Sequence, residues 1–286
     1  MSDLRGNPEK AAALGGILET IAATARSGNY PDGAVAVAFS GGLDSRFLIH
    51  MARQNNIAVQ ALHVQGPHIP SRENAYALEW AASLNVPLTV MECDPLTMPE
   101  LVRNPEDRCY HCKKELFTAL RKAAKGLPLC DGTNVSDMRE YRPGLKAVAE
   151  LGILSPLAEA GFTKGDIHSV AAMTGMGDPD QAAQPCLLTR FGYGETLTHA
   201  KLLAVDAAEE AARTVFANHG LLNAPFRIRF ESVHTPALHT SLASIPSALA
   251  KDLADALAHA GLPNVPIRHM KTLSGYFDTV RTGFAK

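Results

Sequence analysis

The sequence predicts an α/β protein in which a doubly wound parallel sheet is followed by a second, smaller α+β domain. Three observations support this. Short apolar runs rich in small and β-branched residues alternate with stretches of helical period over the first two thirds of the chain. A Gly-rich turn separates the first such run from the first strong helix. Beyond about residue 195 the alternation gives way to a different mixture of helical and strand-like stretches.

Taken in order, "AVAVAF" (residues 34–39) reads as a buried strand, "SGGLDS" as the turn after it, and "RFLIHMARQNN" as the helix that follows. "IAVQALHV" (57–64) is the next strand, "SRENAYALEWAASLN" an amphipathic helix, and "VPLTVME" (86–92) a third strand. "KKELFTALRKAAK" continues as helix and "GLPLCDGTN" as strand and loop, while "GMGDPDQAAQP" (175–185) is a loop. This first domain is expected over 1–195. In the second, over 196–286, "GETLTHAKLLAVDAAEEAARTVFANHG" has a Thr-rich start and an Asn-His-Gly end, as a capped helix would. "FRIRFE" (226–231) alternates as a half-buried strand, "SIPSALAKDLADALAHAG" is a further helix, and "VPIRHMKTLSGYF" (265–277) a further strand.

With 286 residues, 46% hydrophobic and 20% charged, the composition is that of a soluble globular protein, and no apolar run is long enough to cross a bilayer. The N-terminal stretch lacks the charged start and unbroken apolar run of a secretory signal, so a cytoplasmic location is expected. Twenty-seven Lys and Arg against 29 Asp and Glu leave no broad basic surface, which disfavours a nucleic-acid partner. The five cysteines, Cys93, Cys109, Cys112, Cys130 and Cys186, are unevenly spaced and odd in number, which disfavours a disulfide framework. Their thiols are core, catalytic or ligating.

Ser40-Gly41-Gly42-Leu43-Asp44-Ser45 lies between a predicted strand and a predicted helix, where successive backbone N–H groups can close around an anion. The glycines permit the tight turn, the helix N-terminus adds a favourable dipole, and the Ser40 and Ser45 hydroxyls can donate to phosphate oxygens. Asp44, negatively charged, suits a Mg²⁺-linked or loop-shaping role rather than direct phosphate contact.

"FSGGLDS" resembles the SGGxDS loop of the PP-loop ATP pyrophosphatases, whose domain is HUP-like and which cleave ATP between the α and β phosphates to adenylate a substrate. Further strings, in the same order, resemble segments of the LarE-type ATP-dependent sulfur transferases: "ALHVQGPHIPSRENAYALEWAASLNVPLTVME", "DRCYHCKKELF", "DGTNVSDMREYRPGLKAVAELGILSPLAEAGFTKGDI" and "PCLLTRFGYGETLT". That family matures the nickel-pincer nucleotide cofactor of lactate racemase. The resemblance runs from about residue 30 to about residue 200. It implies that Ser40, Gly41, Gly42, Asp44 and Ser45 hold the pyrophosphate portion of ATP with Mg²⁺. It also implies that Leu62, His63 and Val64 lie beside the adenine, and that Gly132, Thr133 and Asn134 line the nucleotide site. Arg46 departs from the pattern, since the superfamily usually has a small hydroxyl residue there; it either removes a phosphate contact or adds a cation. A second departure is "ESVHTPALHT", which replaces an expected His-Gly strand end.

Cys109-x-x-Cys112 taken alone has three readings: half a zinc site, a redox pair, or part of an iron–sulfur site. A four-cysteine zinc site needs a second pair, and the other cysteines are isolated. A thioredoxin-like pair opens a helix after the first strand, whereas this one lies deep inside an ATP-binding pattern. Members of the resembled family divide into two types. One keeps only the cysteine matching Cys186, which attacks the adenylate and gives up its own sulfur. The other has three, matching Cys109, Cys112 and Cys186, which hold a [4Fe-4S] cluster with one iron open to hydrosulfide. This chain has all three, beside Arg108, Lys113, Lys114 and Arg190, which favour thiolates. The plainer alternative makes Cys109 and Cys112 small buried hydrophobes. Cys93 and Cys130, at strand ends, are expected in the core.

Arg190, after Cys186, and Arg227 and Arg229, at i and i+2 of one strand, are the candidates for a substrate phosphate. The resemblance supports the pair, because family members have an Arg-x-Arg strand that meets substrate phosphate. His234 and His239 are expected in a loop, and Trp80 as a packing residue. The favoured reading is an adenylating enzyme with Cys186, Asp44 and Arg190 as its catalytic residues. Its acceptor is a small carboxylate- and phosphate-bearing molecule, by resemblance a nicotinic-acid-derived mononucleotide, and the enzyme a homo-oligomer. The alternatives are a tRNA thiolase or amide-forming ligase of the same superfamily, and an adenine-nucleotide-binding module without turnover.

Overall fold

The small and β-branched residues of Ala34–Phe39 form β1, followed by β2 (Ala58–Gln65), β3 (Leu88–Glu92) and β4 (Leu129–Cys130). The computed structural model describes residues 7–26, 30–139, 143–180, 184–232 and 235–283. Contacts divide the chain into two compact units. The first comprises Met1–Gly66, Glu73–Cys93 and Asp107–Gln184; the second comprises Pro67–Arg72, Asp94–Glu106 and Pro185–Lys286.

In the first unit the strands run in the order β3-β2-β1-β4, all parallel. The period of two in β1 explains why both faces are covered. Val35, Val37 and Phe39 enter a core with Leu14 and Leu18 of α1 (Asn7–Ala23) and Phe47, Leu48 and Met51 of α2 (Leu43–Gln54). Ala36 faces the other way, into a core with Leu62, Val64, Phe117 and Leu120. A parallel sheet buried on both faces needs helices on both, and the continuous apolar run at 34–39 is its signature. α3 (Ser71–Ser83) supplies Trp80 to the first core, and α5 (Arg108–Ala123) supplies Phe117 and Leu120 to the second. The short α6 (Val135–Met138), α7 (Gly144–Glu150), α8 (Pro156–Glu159) and α9 (Lys164–Met173) complete the unit. Because β2 and β3 lie on one side of β1 and β4 on the other, the strand order reverses at β1. Ligands of open α/β sheets bind beyond the carboxyl ends of the strands at such a reversal.

The second unit contains α4 (Pro99–Val102), α10 (His199–Asn218), α11 (Ser247–His259) and α12 (Tyr276–Gly283). Its sheet is β5 (Phe226–Ser232), β6 (Thr235–Thr240) and β7 (Ile267–His269), with β5–β6 antiparallel and β6–β7 parallel. Phe226, Ile228 and Phe230 of β5 pack on Leu202, Val205 and Phe216 of α10 and on Leu249 and Leu253 of α11. Thr198 caps α10, its Oγ1 accepting from Lys201 N at 3.3 Å. Two expectations change. The strand expected over 265–277 shrinks to Ile267–His269, and Tyr276 opens a helix with Asp278 in its first turn, a favourable place for a negative charge. His239 is not in a loop: it sits in β6 and is fully buried, and His234 lies outside the described residues. No helix of the described residues is long and apolar enough to cross a membrane.

The core contacts give a stability contrast. Phe47 and Phe162 are both fully buried, with ring centroids 5.4 Å apart. Phe47→Ala is expected to lower the unfolding free energy by about 3–5 kcal/mol. Leu222→Ala, at a residue 71% exposed, is expected to change it by less than about 0.5 kcal/mol. Urea titration followed by circular dichroism measures both.

Candidate functional site

The turn after β1 is held by its own hydroxyls. Ser40 N donates to Ser45 Oγ at 3.3 Å, Ser45 Oγ donates to Gly42 O at 3.0 Å, and Gly42 N donates to Ser40 Oγ at 3.3 Å. Gly41 has φ +79°, and a Cβ there would lie 2.8 Å from Ala77 Cβ of α3, so both conformation and space require glycine. Gly42 is the N-cap of α2 and makes no side-chain cap hydrogen bond. The first-turn amides of α2 follow directly, in the arrangement that favours anions.

The candidates after β4 lie against this turn. A Cβ on Gly132 would come within 3.0 Å of both Asp44 Cβ and Ser45 N, so the chain passes too close for any side chain. Asn134 Nδ2 donates to Asp44 Oδ2 at 3.3 Å, and Asn134 caps α6, its Oδ1 accepting from Ser136 N at 2.9 Å. Thr133 Oγ1 donates to Asp131 Oδ2 at 2.6 Å, and Ser155 Oγ donates to Asp131 Oδ1 at 2.7 Å. Asp131 therefore fixes the 132–134 segment, a role not legible in the sequence. His63 is buried, with Nδ1 2.9 Å from Phe39 O and Nε2 3.2 Å from Asn74 Oδ1. Val64 is buried in the second core.

Cys109 and Cys112 are the second and fifth residues of α5, the first exposed and the second half-buried. Spacing of three residues puts them on one helix face. Around them Lys114 reaches Tyr110 Oη at 3.0 Å and Glu150 Oε2 at 3.3 Å, and His111 Nε2 lies 3.0 Å from Asp107 Oδ2. Cys130 is a core residue, and burial pushes its thiol up to about 12. Cys93 is half-buried and packs against the second core. Cys109 and Cys112 belong to the first unit and Cys186 to the second. Among the described residues of either unit, no three His, Cys, Asp or Glu side chains are gathered as a metal site.

In the second unit Cys186 immediately precedes the short 3₁₀ helix Leu187–Arg190. Leu187 N donates to His68 O at 2.8 Å, and Thr189 Oγ1 donates to Cys186 O at 2.7 Å. Leu187 and Leu188 point into the core, which leaves Cys186 half-buried at its edge. Arg190, fully buried, is gripped by Glu209 of α10: Nε to Oε1 is 2.6 Å and Nη2 to Oε2 is 3.0 Å. The same carboxylate accepts Ile228 N of β5 at 2.9 Å. Glu209 thus joins the turn that bears Cys186 to the strand that bears Arg227 and Arg229.

Both strand arginines are pushed down to about 10, first by burial and then by the charge of Arg190. Arg213, over the Phe226 ring at 5.2 Å, adds to the effect on Arg227. Arg229 Nη1 meets His239 Nδ1 at 3.0 Å, and its guanidinium lies 5.2 Å from the Tyr276 ring centroid. His239 Nε2 lies 3.0 Å from Glu231 Oε1, so this nitrogen carries the proton and Nδ1 accepts from the arginine. Arg229 Nε is buried with no hydrogen-bond acceptor among the described residues. Buried guanidinium groups with a further cation beside them favour an anion. Sequence reasoning missed Glu209, yet a signal was present: it interrupts the apolar stripe Leu202, Val205, Ala212 and Phe216 of α10.

No protein-family model matches the chain. It is 36% identical over 180 residues to an uncharacterised protein of Synechocystis sp., covering 60% of this chain and 66% of that protein. It is 34% identical over 189 residues to the pyridinium-3,5-bisthiocarboxylic acid mononucleotide synthase of Lactiplantibacillus plantarum, covering 63% of this chain and 67% of the synthase. An uncharacterised protein of Methanocaldococcus jannaschii is 31% identical over 182 residues, covering 63% and 69% respectively. The chain thus spans about two thirds of the length of each relative.

Near Cys186, His68 provides a pH test. Burial pushes its imidazole down to about 4, against a partial opposing effect of Asp94. The unfolded chain takes up this proton first as pH falls, so the stability involved is complete above about 6.5 and is lost between there and about 4. The loss from this residue is expected to reach about 3 kcal/mol. Urea midpoints between pH 7.5 and pH 4.5 should fall less steeply for His68→Gln than for the wild type.

Proposed function

The chain belongs to the family of the pyridinium-3,5-bisthiocarboxylic acid mononucleotide synthase, the LarE-type sulfur transferases, and from that premise we propose that it is an enzyme of nickel-pincer cofactor biosynthesis. It converts a carboxylate of a nicotinic-acid-derived mononucleotide into a thiocarboxylate at the expense of ATP. The observation that carries this reading lies in the second unit: Glu209 gathers the turn bearing Cys186 and the strand bearing Arg227 and Arg229. A sulfur nucleophile and cations suited to a substrate phosphate therefore share one small region of chain.

In the proposed reaction a substrate carboxylate oxygen attacks the α-phosphorus of ATP, and the bond to the β,γ-pyrophosphate breaks. The acyl adenylate so formed has AMP as its leaving group. A sulfur nucleophile then adds to the acyl carbon, and the C–O bond to AMP breaks. The Ser40–Ser45 turn holds the pyrophosphate, its amides meeting the charge that builds on the leaving oxygen. Asp44, which accepts a hydrogen bond from Asn134, would be the carboxylate that takes Mg²⁺. Arg227 and Arg229 hold the mononucleotide phosphate, and Arg190 is a positioning residue that holds the Cys186 turn through Glu209.

The sulfur has two possible sources in this chain. Cys186 can give up its own: once its thioester has formed, loss of its Cα proton and cleavage of its Cβ–Sγ bond release the thiocarboxylate and leave dehydroalanine. Alternatively Cys109, Cys112 and Cys186 would hold a [4Fe-4S] cluster, a reading supported by their thiol chemistry and by the three-residue spacing of Cys109 and Cys112 on α5, with Cys186 contributed by the other unit. When bound, such a cluster supplies an open iron at which hydrosulfide can be presented.

Pyridinium-3,5-biscarboxylic acid mononucleotide is the diagnostic substrate. With ATP and Mg²⁺ it should drive pyrophosphate release, and Cys186→Ala should abolish thiocarboxylate, read by mass spectrometry, while leaving that release measurable. ATP bound without turnover would instead favour a nucleotide-binding module, and salt-sensitive tRNA binding a tRNA thiolase. Protein purified without oxygen should be brown in the cluster case, and Cys109→Ala should remove the colour. A mass loss of one H₂S after turnover would assign the sulfur to Cys186. Arg227→Ala and Arg229→Ala should each raise KM for the mononucleotide at least about tenfold, as expected for losing a charged hydrogen bond.

A further inference from the structure

We infer that Arg46 is a positioning residue that sets the direction of the Gly41–Gly42 peptide, and so aims the Gly42 amide at the bound pyrophosphate. The inference rests on the reading of the Ser40–Ser45 turn as the phosphate site. Arg46 stands one residue beyond that turn, in the first part of α2, and is fully buried. Its Nε donates to Gly41 O at 3.1 Å, Nη1 to Gly177 O at 2.8 Å and Nη2 to Asp178 O at 2.9 Å. The guanidinium lies 5.4 Å from the Tyr76 ring centroid and 6.0 Å from that of Trp80. Tyr76 Oη in turn donates to Asp178 Oδ2 at 2.9 Å. A buried guanidinium held in this way does not reach out to a ligand, so the added cation acts from behind the turn.

Its effect follows from peptide geometry. In a trans peptide the C=O and the following N–H point in opposite directions. Fixing the Gly41 carbonyl on Arg46 Nε therefore fixes the Gly42 N–H on the far side of the same plane, where it donates to Ser40 Oγ at 3.3 Å, a long contact that a pyrophosphate oxygen would share or replace. A Gly–Gly peptide is otherwise the softest link of the turn, because neither residue has a Cβ to forbid rotation. Rotated by half a turn, the same peptide would present its carbonyl to the phosphate and repel it. The charged donor also polarises the amide and makes its N–H a stronger donor. Ala77 backs Gly41 at 2.8 Å from a Cβ built there, which limits sideways movement but leaves the carbonyl direction to Arg46. Lysine, with one ammonium, cannot hold Gly41 and the 177–178 carbonyls in a planar fork.

The test is calorimetric titration of the full chain with inorganic pyrophosphate and, separately, with adenosine, for the wild type, Arg46→Met and Arg46→Lys. Near-ultraviolet circular dichroism establishes that each variant is folded, and Arg46→Lys serves if Arg46→Met is not. Pyrophosphate affinity should fall about tenfold or more in Arg46→Met and by a smaller factor in Arg46→Lys, with adenosine affinity unchanged. Pyrophosphate bound equally by folded wild type and variants overturns the inference while leaving the nucleotide reading intact. Equal loss of both ligands in a folded variant also overturns it, because Arg46 would then support the whole site and not one peptide. No pyrophosphate binding by the wild type removes the phosphate reading and the inference together.

Discussion

The carboxylate of Glu209 is the constraint around which the second unit is arranged. It receives two nitrogens of Arg190 and the amide of Ile228, so a helix, a strand and the turn after Cys186 meet at one buried group. A buried ion pair of this kind adds little net stability, because the desolvation of both charges offsets most of their attraction. What it does is restrict geometry. Arg227 and Arg229 are pushed down first by their own burial and then by the charge of Arg190, which Glu209 holds in a fixed position. A group of cations in that state favours any anion that relieves their repulsion, which is the physical basis for assigning a phosphate to them.

The first unit uses backbone in the way the second uses charge. Its sheet reverses order at β1, and the turn that follows is closed by contacts that exclude side chains. Ala77 fills the space beside Gly41, while Asp44 and Ser45 fill the space beside Gly132. The amides of the turn are thereby brought close to a second loop, whose Asn134 orients Asp44 and whose own shape depends on Asp131. The proposed adenylation would use both features, amides for the leaving group and an oriented carboxylate for a metal ion.

Period and turn chemistry made much of the first unit readable. An apolar run of six residues with a Gly-rich turn and a strong helix after it has few structural meanings, and Ala34–Gln54 adopts the expected one. The capping residues made α10 equally legible, while α5, expected from residue 113, begins at Arg108. Reading failed where a long-range partner outweighed local pattern. "VPIRHMKTLSGYF" looks like a strand, but only Ile267–His269 finds an edge to pair with, on β6. His239 reads as a loop residue because Thr235 and Pro236 stand between it and His234. Its place opposite Arg227 in the β5–β6 register buries it.

What the sequence by itself determined was the order of the first unit's elements, the position of the Gly-rich turn between β1 and α2 and the residue types available for sulfur and anion chemistry. These follow from local rules: side-chain period, the conformational freedom of glycine and the chemistry of thiol and guanidinium groups. Only the tertiary structure decided how the charges are used. Arg46 turns inward to carbonyls, Arg190 is held by Glu209, and Arg229 is shared between His239 and Tyr276. The reason is that a buried charge takes its role from partners far away in sequence, such as Gly177 for Arg46, and no local pattern encodes which partner the fold will supply.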